Sequence, residues 1–396
     1  MNILEEIQNC PVEWKELGEV VDVLDSLRRP ITKSQRIPGD IPYYGANGIQ
    51  DYVEDWIFDG TYILMGEDGS VIKNDNSPVL HWVTGKIWVN NHAHILAEVP
   101  EYALLKYVYY VLSQTDVADI VRGTPPKLNQ KNLKSIKIPI PPLEIQEKIV
   151  QILDKFTDYV TELTSELTSE LTSRKKQYSF YRDKLLSFED EVYQVEWKTL
   201  GEVAKFNYGY TDKAKDTGDV RFIRITDIDE NGYLKSNDKK YIALSEESRN
   251  YLVKYGDLLM ARTGATYGKT LFIDTDEASA YASFLIKITP SEELNSRYYW
   301  HFSKSELYWK QANNLVSKAG QPQFNANSLK NVKIPVPSLE IQSRIVQVLD
   351  NFDMVCNDLN IGLPKEIDLR QKQYEYFREK LLTFTAEGEY TESRVE

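Results

Sequence analysis

Residues 131–157 read KNLKSIKIPIPPLEIQEKIVQILDKFT, and residues 327–353 read NSLKNVKIPVPSLEIQSRIVQVLDNFD. At an offset of 196 positions, 16 of these 27 are identical. The same offset aligns RKKQYSFYRDKLLSF (174–188) with RQKQYEYFREKLLTF (370–384). An opener precedes each variable stretch: VEWKELGEV at 12–20 and VEWKTLGEV at 195–203. Self-similarity at a long fixed offset constrains a fold more than any single motif, because both copies must form the same structure. The order is opener, variable segment, helical segment, then all three again. Such a duplication predicts approximate two-fold symmetry. The tail LLTFTAEGEY resembles the LLSFEDEVY that precedes the second opener, so the C-terminus is expected to lead back toward the N-terminus. The variable segments, about 21–130 and 204–326, share little beyond a P-x-x-N at the end, Pro126/Asn129 and Pro322/Asn325.

After IPIPP the prolines stop and a narrow apolar stripe begins in steps of mainly three or four, the mark of a coiled-coil seam. The expected seam is Ile145, Ile149, Leu153, Phe156, Leu163, Leu167 and Leu171, with Tyr159, Tyr178, Tyr181 and Leu185 extending it. The second copy places Ile341, Ile345, Leu349, Phe352, Leu359, Leu363 and Ile367 at matching positions, with Val355, Tyr374, Phe377 and Leu381. Pro142 and Ser338 sit at plausible helix starts. Some 45 residues at about 1.5 Å each give a rod of roughly 68 Å. The chain enters by one helix and returns by the other, so the two are expected to pack antiparallel. Inside the rod lies TELTSELTSELTS (161–173), which keeps its leucines on one side and lacks the Gly and Pro of a flexible linker, so it is read as helix. Gly362 and Pro364 are in register with it in the second copy and should kink or break that helix.

The chain has 396 residues, 42% of them hydrophobic, which suits two or three domains with real cores. Two cysteines, Cys10 and Cys356, are too few for a disulfide framework, and a reducing cytoplasm is the expectation. The start has no secretory signal pattern, and no apolar run is long enough to span a bilayer. The net charge of −13 counts against simple non-specific binding of nucleic acid, which depends on Lys and Arg. Residues 195–326 balance at 18 Lys+Arg against 18 Asp+Glu, whereas residues 11–130 carry 10 against 17.

ARTGATYGKT (261–270) approximates a phosphate-binding loop, but only three residues separate Gly264 from Gly268, one too few. The following TLFID reads as strand, so no helix N-terminus receives a phosphate. A Gly-rich hairpin is the expectation, with donors at its tip. NNHAHIL puts His92 and His94 on one face of a strand, which reads as polar strand residues rather than a metal site. Glu67-Asp68-Gly69 reads as a turn. No catalytic apparatus is evident, and no metal site is expected.

The variable segments mix aromatic, amide, basic and glycine residues, a composition suited to base edges and backbone. Taken singly, each also fits an ordinary loop. The candidates for DNA contact in the first segment are Lys33, Tyr44, Asn47, Gln50, Lys73 and His92, with Arg122, Lys127 and Asn129 at its end. In the second they are Tyr208, Tyr210, Lys213 and Arg224, then the hairpin tip Arg262, Thr263, Thr266, Tyr267 and Lys269, and finally Lys318, Gln321, Gln323 and Asn325.

The twin KIPIPPLEIQEKIVQILD and KIPVPSLEIQSRIVQVLD segments, the W-K-x-L-G-E-V openers and GDLLMARTGATYGKT resemble the specificity subunits of type I restriction–modification systems. The resemblance covers the whole chain. It implies an α+β architecture in which two α/β target recognition domains are separated by a long antiparallel two-helix coiled coil. The expected boundaries are 1–140 for the first recognition domain, 141–190 for the central helix with its repeat, 191–336 for the second domain, and 337–396 for the distal helix and tail. Each domain would read half of a bipartite, asymmetric DNA site. The subunit would not itself be a catalyst and would bind no cofactor. It would assemble with two modification subunits carrying S-adenosylmethionine-dependent adenine methyltransferase, and with two ATP- and Mg-dependent restriction subunits. Partner subunits would then supply part of the phosphate neutralisation that an acidic chain cannot. The absence of an N/D-P-P-Y/F motif fits this division. In some members a short repeat at this place sets the non-specific gap in the site. The alternatives are a self-sufficient DNA methyltransferase and a coiled-coil scaffold without DNA binding.

Overall fold

The computed structural model describes residues 3–188, 195–317, 322–358 and 361–384. The chain divides into two compact units, Met1–Thr164 with Leu369–Glu396, and Ser165–Asp368. Leu359 of the expected seam and the tail beyond residue 384 lie outside the described residues.

Strands β1 (Glu13–Glu16), β2 (Val21–Val23), β3 (Pro38–Gly45), β4 (Gly48–Val53), β5 (Phe58–Gly66), β6 (Leu80–Val89), β7 (Ala93–Glu98) and β8 (Lys137–Ile140) belong to the first unit. So do helices α1 (Ile3–Gln8), α2 (Leu17–Val20), α3 (Leu105–Leu112) and α4 (Gln130–Lys134). Among the described residues, six strands form one sheet in the order β2-β7-β5-β6-β3-β4, and β1 pairs with β8. The β3–β4 hairpin closes on Gly45 opposite Gly48, whose φ of +96° is open to glycine at little cost. Asn47 is exposed at its tip.

The long helix α5 (Leu143–Ser187) gives residues to both units. The second unit adds α6 (Leu200–Val203), α7 (Ser296–Phe302), α8 (Glu306–Leu315), α9 (Ala326–Lys330), α10 (Leu339–Asn357) and the start of α11 (Leu363–Leu382). Its strands are β9 (Glu196–Thr199), β10 (Ala204–Tyr208), β11 (Val220–Ile223), β12 (Tyr241–Ile242), β13 (Leu252–Val253), β14 (Leu258–Ala261), β15 (Thr270–Phe272), β16 (Ser279–Tyr281), β17 (Leu285–Pro290) and β18 (Lys333–Val336). Two four-stranded sheets, β10-β17-β14-β15 and β12-β11-β16-β13, accompany the β18-β9 pair among the described residues.

The repeated residues do the same work twice. Each opener strand runs antiparallel to the K-I-P strand, Trp14 opposite Pro139 and Trp197 opposite Pro335. Each LEIQ glutamine is fully buried and satisfies backbone on two sides. Gln146 Nε2 donates to Pro141 O at 2.8 Å and its Oε1 accepts from Leu104 N at 3.0 Å. Gln342 Nε2 donates to Pro337 O at 2.8 Å and its Oε1 accepts from Asn295 N at 2.8 Å. The Tyr107 hydroxyl donates to Pro139 O and the Tyr298 hydroxyl to Pro335 O, both at 2.9 Å. A buried amide left without these partners would cost about 1–3 kcal/mol, so Gln rather than an apolar residue follows the Ile of each motif.

The helix reading of the repeat holds: α5 is continuous through 161–173, and Leu163, Leu167 and Leu171 are half-buried there while most neighbours are exposed. The second helix is interrupted between Asn357 and Leu363, with Gly362 just before the restart and Pro364 in the first turn of α11. The seam itself needs correction in its middle. Tyr159 (58%) and Val355 (37%) are exposed, and their neighbours Val160 and Cys356 are buried instead. Tyr181 is also exposed, and Leu186 is more buried than Leu185. The physical reason is drift: a helix of 3.6 residues per turn moves off a strict 3.5 repeat, so the inward position steps by four after Phe156 and Phe352.

The inner ends of the stripe are domain core. Ile145, Ile149 and Leu153 join Tyr107, Val108 and Leu112 in one apolar cluster of the first unit, together with Leu381 and Leu382. Ile345 and Leu349 join Tyr298, Trp300 and Phe302 in the second, where Ile341, Phe352 and Leu171 pack alongside. Phe156 stacks on Tyr374 in the first unit, and Phe352 on Tyr178 in the second, with centroids 6.3 and 6.4 Å apart. Leu363 and Ile367 are half-buried.

Candidate nucleic-acid interface

Both variable segments end in the same pair of loops, which their sequences do not announce. In the first unit, the loop after β5 receives the segment before α4: Leu128 N donates to Glu67 O at 2.8 Å, and Gly69 N to Pro126 O at 3.0 Å. In the second, the loop after β14 receives the segment before α9: Phe324 N donates to Arg262 O at 2.8 Å, and Gly264 N to Pro322 O at 3.2 Å. This explains P-x-x-N. The proline carbonyl holds the loop glycine, and the asparagine caps the next helix. Asn129 Oδ1 accepts from Asn132 N and Asn325 Oδ1 from Ser328 N. These two asparagines therefore have a structural task of their own.

Equivalent positions carry opposite chemistry. Glu67 and Asp68 stand where the second unit has Arg262 and Thr263. The acidic pair, read from sequence as a plain turn, lies over a buried polar network that the sequence did not reveal. Arg28 bridges Glu67 at 2.6 Å and Asp25 at 3.5 Å. Lys127 reaches Glu67 at 3.3 Å. His94 is fully buried; its Nδ1 lies 2.6 Å from Asp25 and its Nε2 2.8 Å from Leu128 O. Asp25, Glu67 and His94 offer atoms close enough for a cation. Yet both His94 nitrogens face oxygens that accept, and Arg28 and Lys127 already balance the carboxylates. The donor set is that of a satisfied ion network. Burial pushes the Asp25 carboxyl up, but the His94 hydrogen bond and the His94 and Arg28 charges outweigh it and hold it below its ordinary value.

On the surface above, His92 bonds Asp68. Arg122 and Lys127 are exposed and pair backbone to backbone across the tight turn between them, at 3.0 and 2.8 Å. This edge offers a carboxylate acceptor beside three potential donors, and carboxylates accept from base amino groups. Lys33 and Lys73 are exposed elsewhere on the unit. Gln50 is exposed with its Oε1 near Asn90 at 3.2 Å, and Tyr44 is half-buried, its ring 6.4 Å from that of His81.

In the second unit the 261–270 segment is a hairpin as expected, β14 pairing antiparallel with β15 from Met260 opposite Thr270. Arg262 Nε donates to Ser283 O at 3.0 Å, and its guanidinium lies 5.3 Å from the ring centres of Tyr208 and Phe284, both exposed. Gln323 is exposed and bridges Thr263 backbone to backbone. Tyr208, Arg262 and Gln323 thus converge on one edge with an aromatic face, a cation and an amide, the side-chain types that stack on bases and bond their edges. Thr263 itself is buried. Tyr267 is tied to Asn313 at 2.7 Å, and the Thr266 hydroxyl is buried. Arg224 spends its fork on Asp227 at 2.8 Å and Asp238 at 3.2 Å, which leaves it in a structural ion pair. Tyr210 packs on Tyr251, while Lys213 is exposed. Lys318 and Gln321 lie outside the described residues.

A family model for the type I restriction modification DNA specificity domain matches residues 11–173 and again residues 194–369. The chain is 37% identical over 392 residues to a putative type I restriction enzyme specificity subunit of Haemophilus influenzae, covering 96% of this chain and 97% of that one. It is 37% identical over 302 residues to the EcoR124I/EcoR124II specificity subunit of Escherichia coli, 71% of each chain. A solved structure from work on complex assembly and conformational transition of the type I R-M system shares the fold, with a TM-score of 0.64 at 16% identity over 94% of this chain and 98% of that one. Two domain matches lying on the two copies of the internal duplication, and a near full-length relative at 37% identity, place this chain in the family of type I restriction–modification DNA specificity subunits.

Proposed function

We propose that this chain reads a bipartite, asymmetric DNA site, its first recognition domain one half and its second the other. The observation that carries this is the duplicated loop pair with opposite chemistry: one scaffold, twice, presenting Asp68, His92 and Lys127 in one copy and Tyr208, Arg262 and Gln323 in the other. Equal scaffolds place the readers comparably; unlike side chains ask for unlike bases. The family is the non-catalytic recognition component, with methylase and restriction activities on other subunits.

The partners we assign are two modification subunits bearing S-adenosylmethionine and two restriction subunits bearing ATP and Mg. Exposed apolar residues at repeated positions support a partner that docks twice. Trp14 and Trp197 are each 47% exposed, Leu143 and Leu339 are 39% and 48%, and Tyr376 and Phe180 are 53% and 62%. Each unit carries one member of every pair. No described helix is long and apolar enough to cross a membrane.

Methylome sequencing of the host, with and without this gene, tests the reading. One bipartite adenine-methylated motif should vanish with the gene, and Arg262→Ala should degrade one half of it only. Loss of no motif, or methyl transfer from S-adenosylmethionine by the isolated chain, would overturn it.

A further inference from the structure

Arg262 is tied down everywhere except at the tip of its side chain. It follows β14, where its backbone N–H donates to Phe284 O at 3.0 Å and its carbonyl accepts from Phe324 N at 2.8 Å. The side chain is held in turn, Nε donating to Ser283 O at 3.0 Å. The rings of Tyr208 and Phe284 each lie 5.3 Å from the guanidinium. Tyr208 is itself anchored: it ends β10 opposite Ile286, and its hydroxyl accepts from Ala326 N at 3.2 Å. What remains is the pair of terminal nitrogens, Nη1 and Nη2. Neither has a hydrogen-bond partner among the described residues, and no carboxylate among them pairs with the charge.

Other arginines of the same unit are spent on carboxylates. Arg221 faces Glu277 at 3.3 Å, Arg224 faces Asp227 at 2.8 Å, and Arg297 faces Asp350 at 2.8 Å. The duplication supplies an internal control. The equivalent loop position in the first unit is Glu67, which makes the same backbone bond but gives its carboxylate to Arg28 and Lys127. The loop pair therefore forms without an arginine at this place.

A planar fork with two unspent nitrogens matches two acceptors side by side. A duplex offers that geometry at guanine O6 and N7 in the major groove, and at two oxygens of a phosphate. Two observations favour the base. A phosphate contact needs charge and tolerates a mobile side chain, whereas base readout needs a fixed direction. Here the Ser283 carbonyl and the two rings fix it, so the ordering cost of an arginine side chain, up to about 2 kcal/mol, falls on folding rather than on binding. Tyr208 and Phe284 are also 46% and 52% exposed beside the fork. An exposed ring gains contact from base edges and the thymine methyl, which a phosphate does not offer.

We propose that Arg262 is a specificity-determining residue that reads one guanine, its Nη pair donating to O6 and N7, in the half-site of the second recognition domain. The inference rests on the bipartite reading proposed above.

The test begins with the motif found by methylome sequencing. Duplexes carrying it are made with each guanine replaced in turn by 7-deazaguanine, which lacks the N7 acceptor. Binding is measured for the full chain assembled with its modification subunits. In the wild type, the guanine read by Arg262 should cost about tenfold in affinity when replaced, the worth of one hydrogen bond to a charged donor. In Arg262→Ala that penalty should vanish at this one guanine. Penalties at guanines of the other half should persist, which also shows that the variant is folded. A wild-type complex that binds its motif but tolerates every 7-deazaguanine overturns the proposal. So does an Arg262→Ala complex that keeps every penalty and binds all duplexes uniformly less well, as loss of a phosphate contact would produce. Either result leaves the bipartite reading standing, whereas a methylome with no motif dependent on this gene sinks both.

Discussion

Two buried histidines at comparable depth are held in opposite ways, and each makes a prediction. In the first unit His94 Nδ1 lies against the Asp25 carboxylate and Nε2 against the Leu128 carbonyl, and the network lowers the Asp25 carboxyl. A depressed carboxylate contributes stability that is present above its unfolded value, about 3.9, and lost as pH falls through the lower folded value. Asp25→Asn should therefore cost roughly 3–5 kcal/mol near neutrality, the range for breaking a buried pair. The gap to wild type should narrow only in strong acid, as followed by denaturant unfolding. In the second unit His301 Nε2 faces Asp350 at 2.7 Å, so it donates there, and Nδ1 accepts from the Tyr178 hydroxyl at 3.0 Å. Burial pushes this histidine down to about 4, with Lys304 and Arg297 adding to it against the pull of Asp350. The unfolded chain takes up a proton near pH 6.5 that the folded chain refuses until about 4. Stability linked to this group is full above 6.5 and falls as pH drops toward 4. His301→Gln should remove that part of the slope, and should cost about 1–3 kcal/mol at pH 7 through the partners it leaves unpaired. An unaltered pH profile would mean that the ring is charged in the folded protein.

At the scale of elements, the helices were legible because apolar period and duplication agree, and 27 aligned positions carry both. The break near Gly362 and Pro364 was legible for the same reason: two residues with known backbone limits, placed against a helical copy. What was not legible follows from range. The Asp25–His94–Glu67 network joins residues up to 69 positions apart, with no local period to mark it. The common loop pair was hidden because backbone bonds, not side chains, define it, leaving only P-x-x-N as a trace. Candidate residues chosen by type included capping asparagines and a paired arginine, Arg224, whose occupations depend on partners the sequence does not place. The tetrapeptide repeat can be tested as an element. Each unit of four adds about 6 Å and overshoots a turn by roughly 40°, against about 3.4 Å and 34–36° for one base pair. Deleting Leu167–Glu170 should leave both half-sites unchanged and alter the gap between them in the methylome. An unchanged gap would reduce the repeat to inert helix.

For the whole molecule, the consequence of duplication is a count. A chain that carries the same exposed tryptophan twice, on strands built alike and each half exposed, would offer the same surface to the two modification subunits proposed above. Large aromatics at the centre of an interface commonly contribute 2 kcal/mol or more, and neither Trp14 nor Trp197 is needed to fill a core at 47% exposure. Trp14→Ser should therefore leave the chain folded and weaken one docking site by about thirtyfold, which is 2 kcal/mol expressed as a ratio. If two modification subunits dock per chain as proposed, native mass spectrometry of the complex should then show a shift toward one. Trp197→Ser should do the same independently, and the double variant should bind neither well. The two single losses should add, because the sites share no residue. If either single variant retains two partners at wild-type affinity, the tryptophans are surface ornaments of a repeated strand, and the docking surface must be sought along the exposed faces of the helices, beginning with Phe180 and Tyr376.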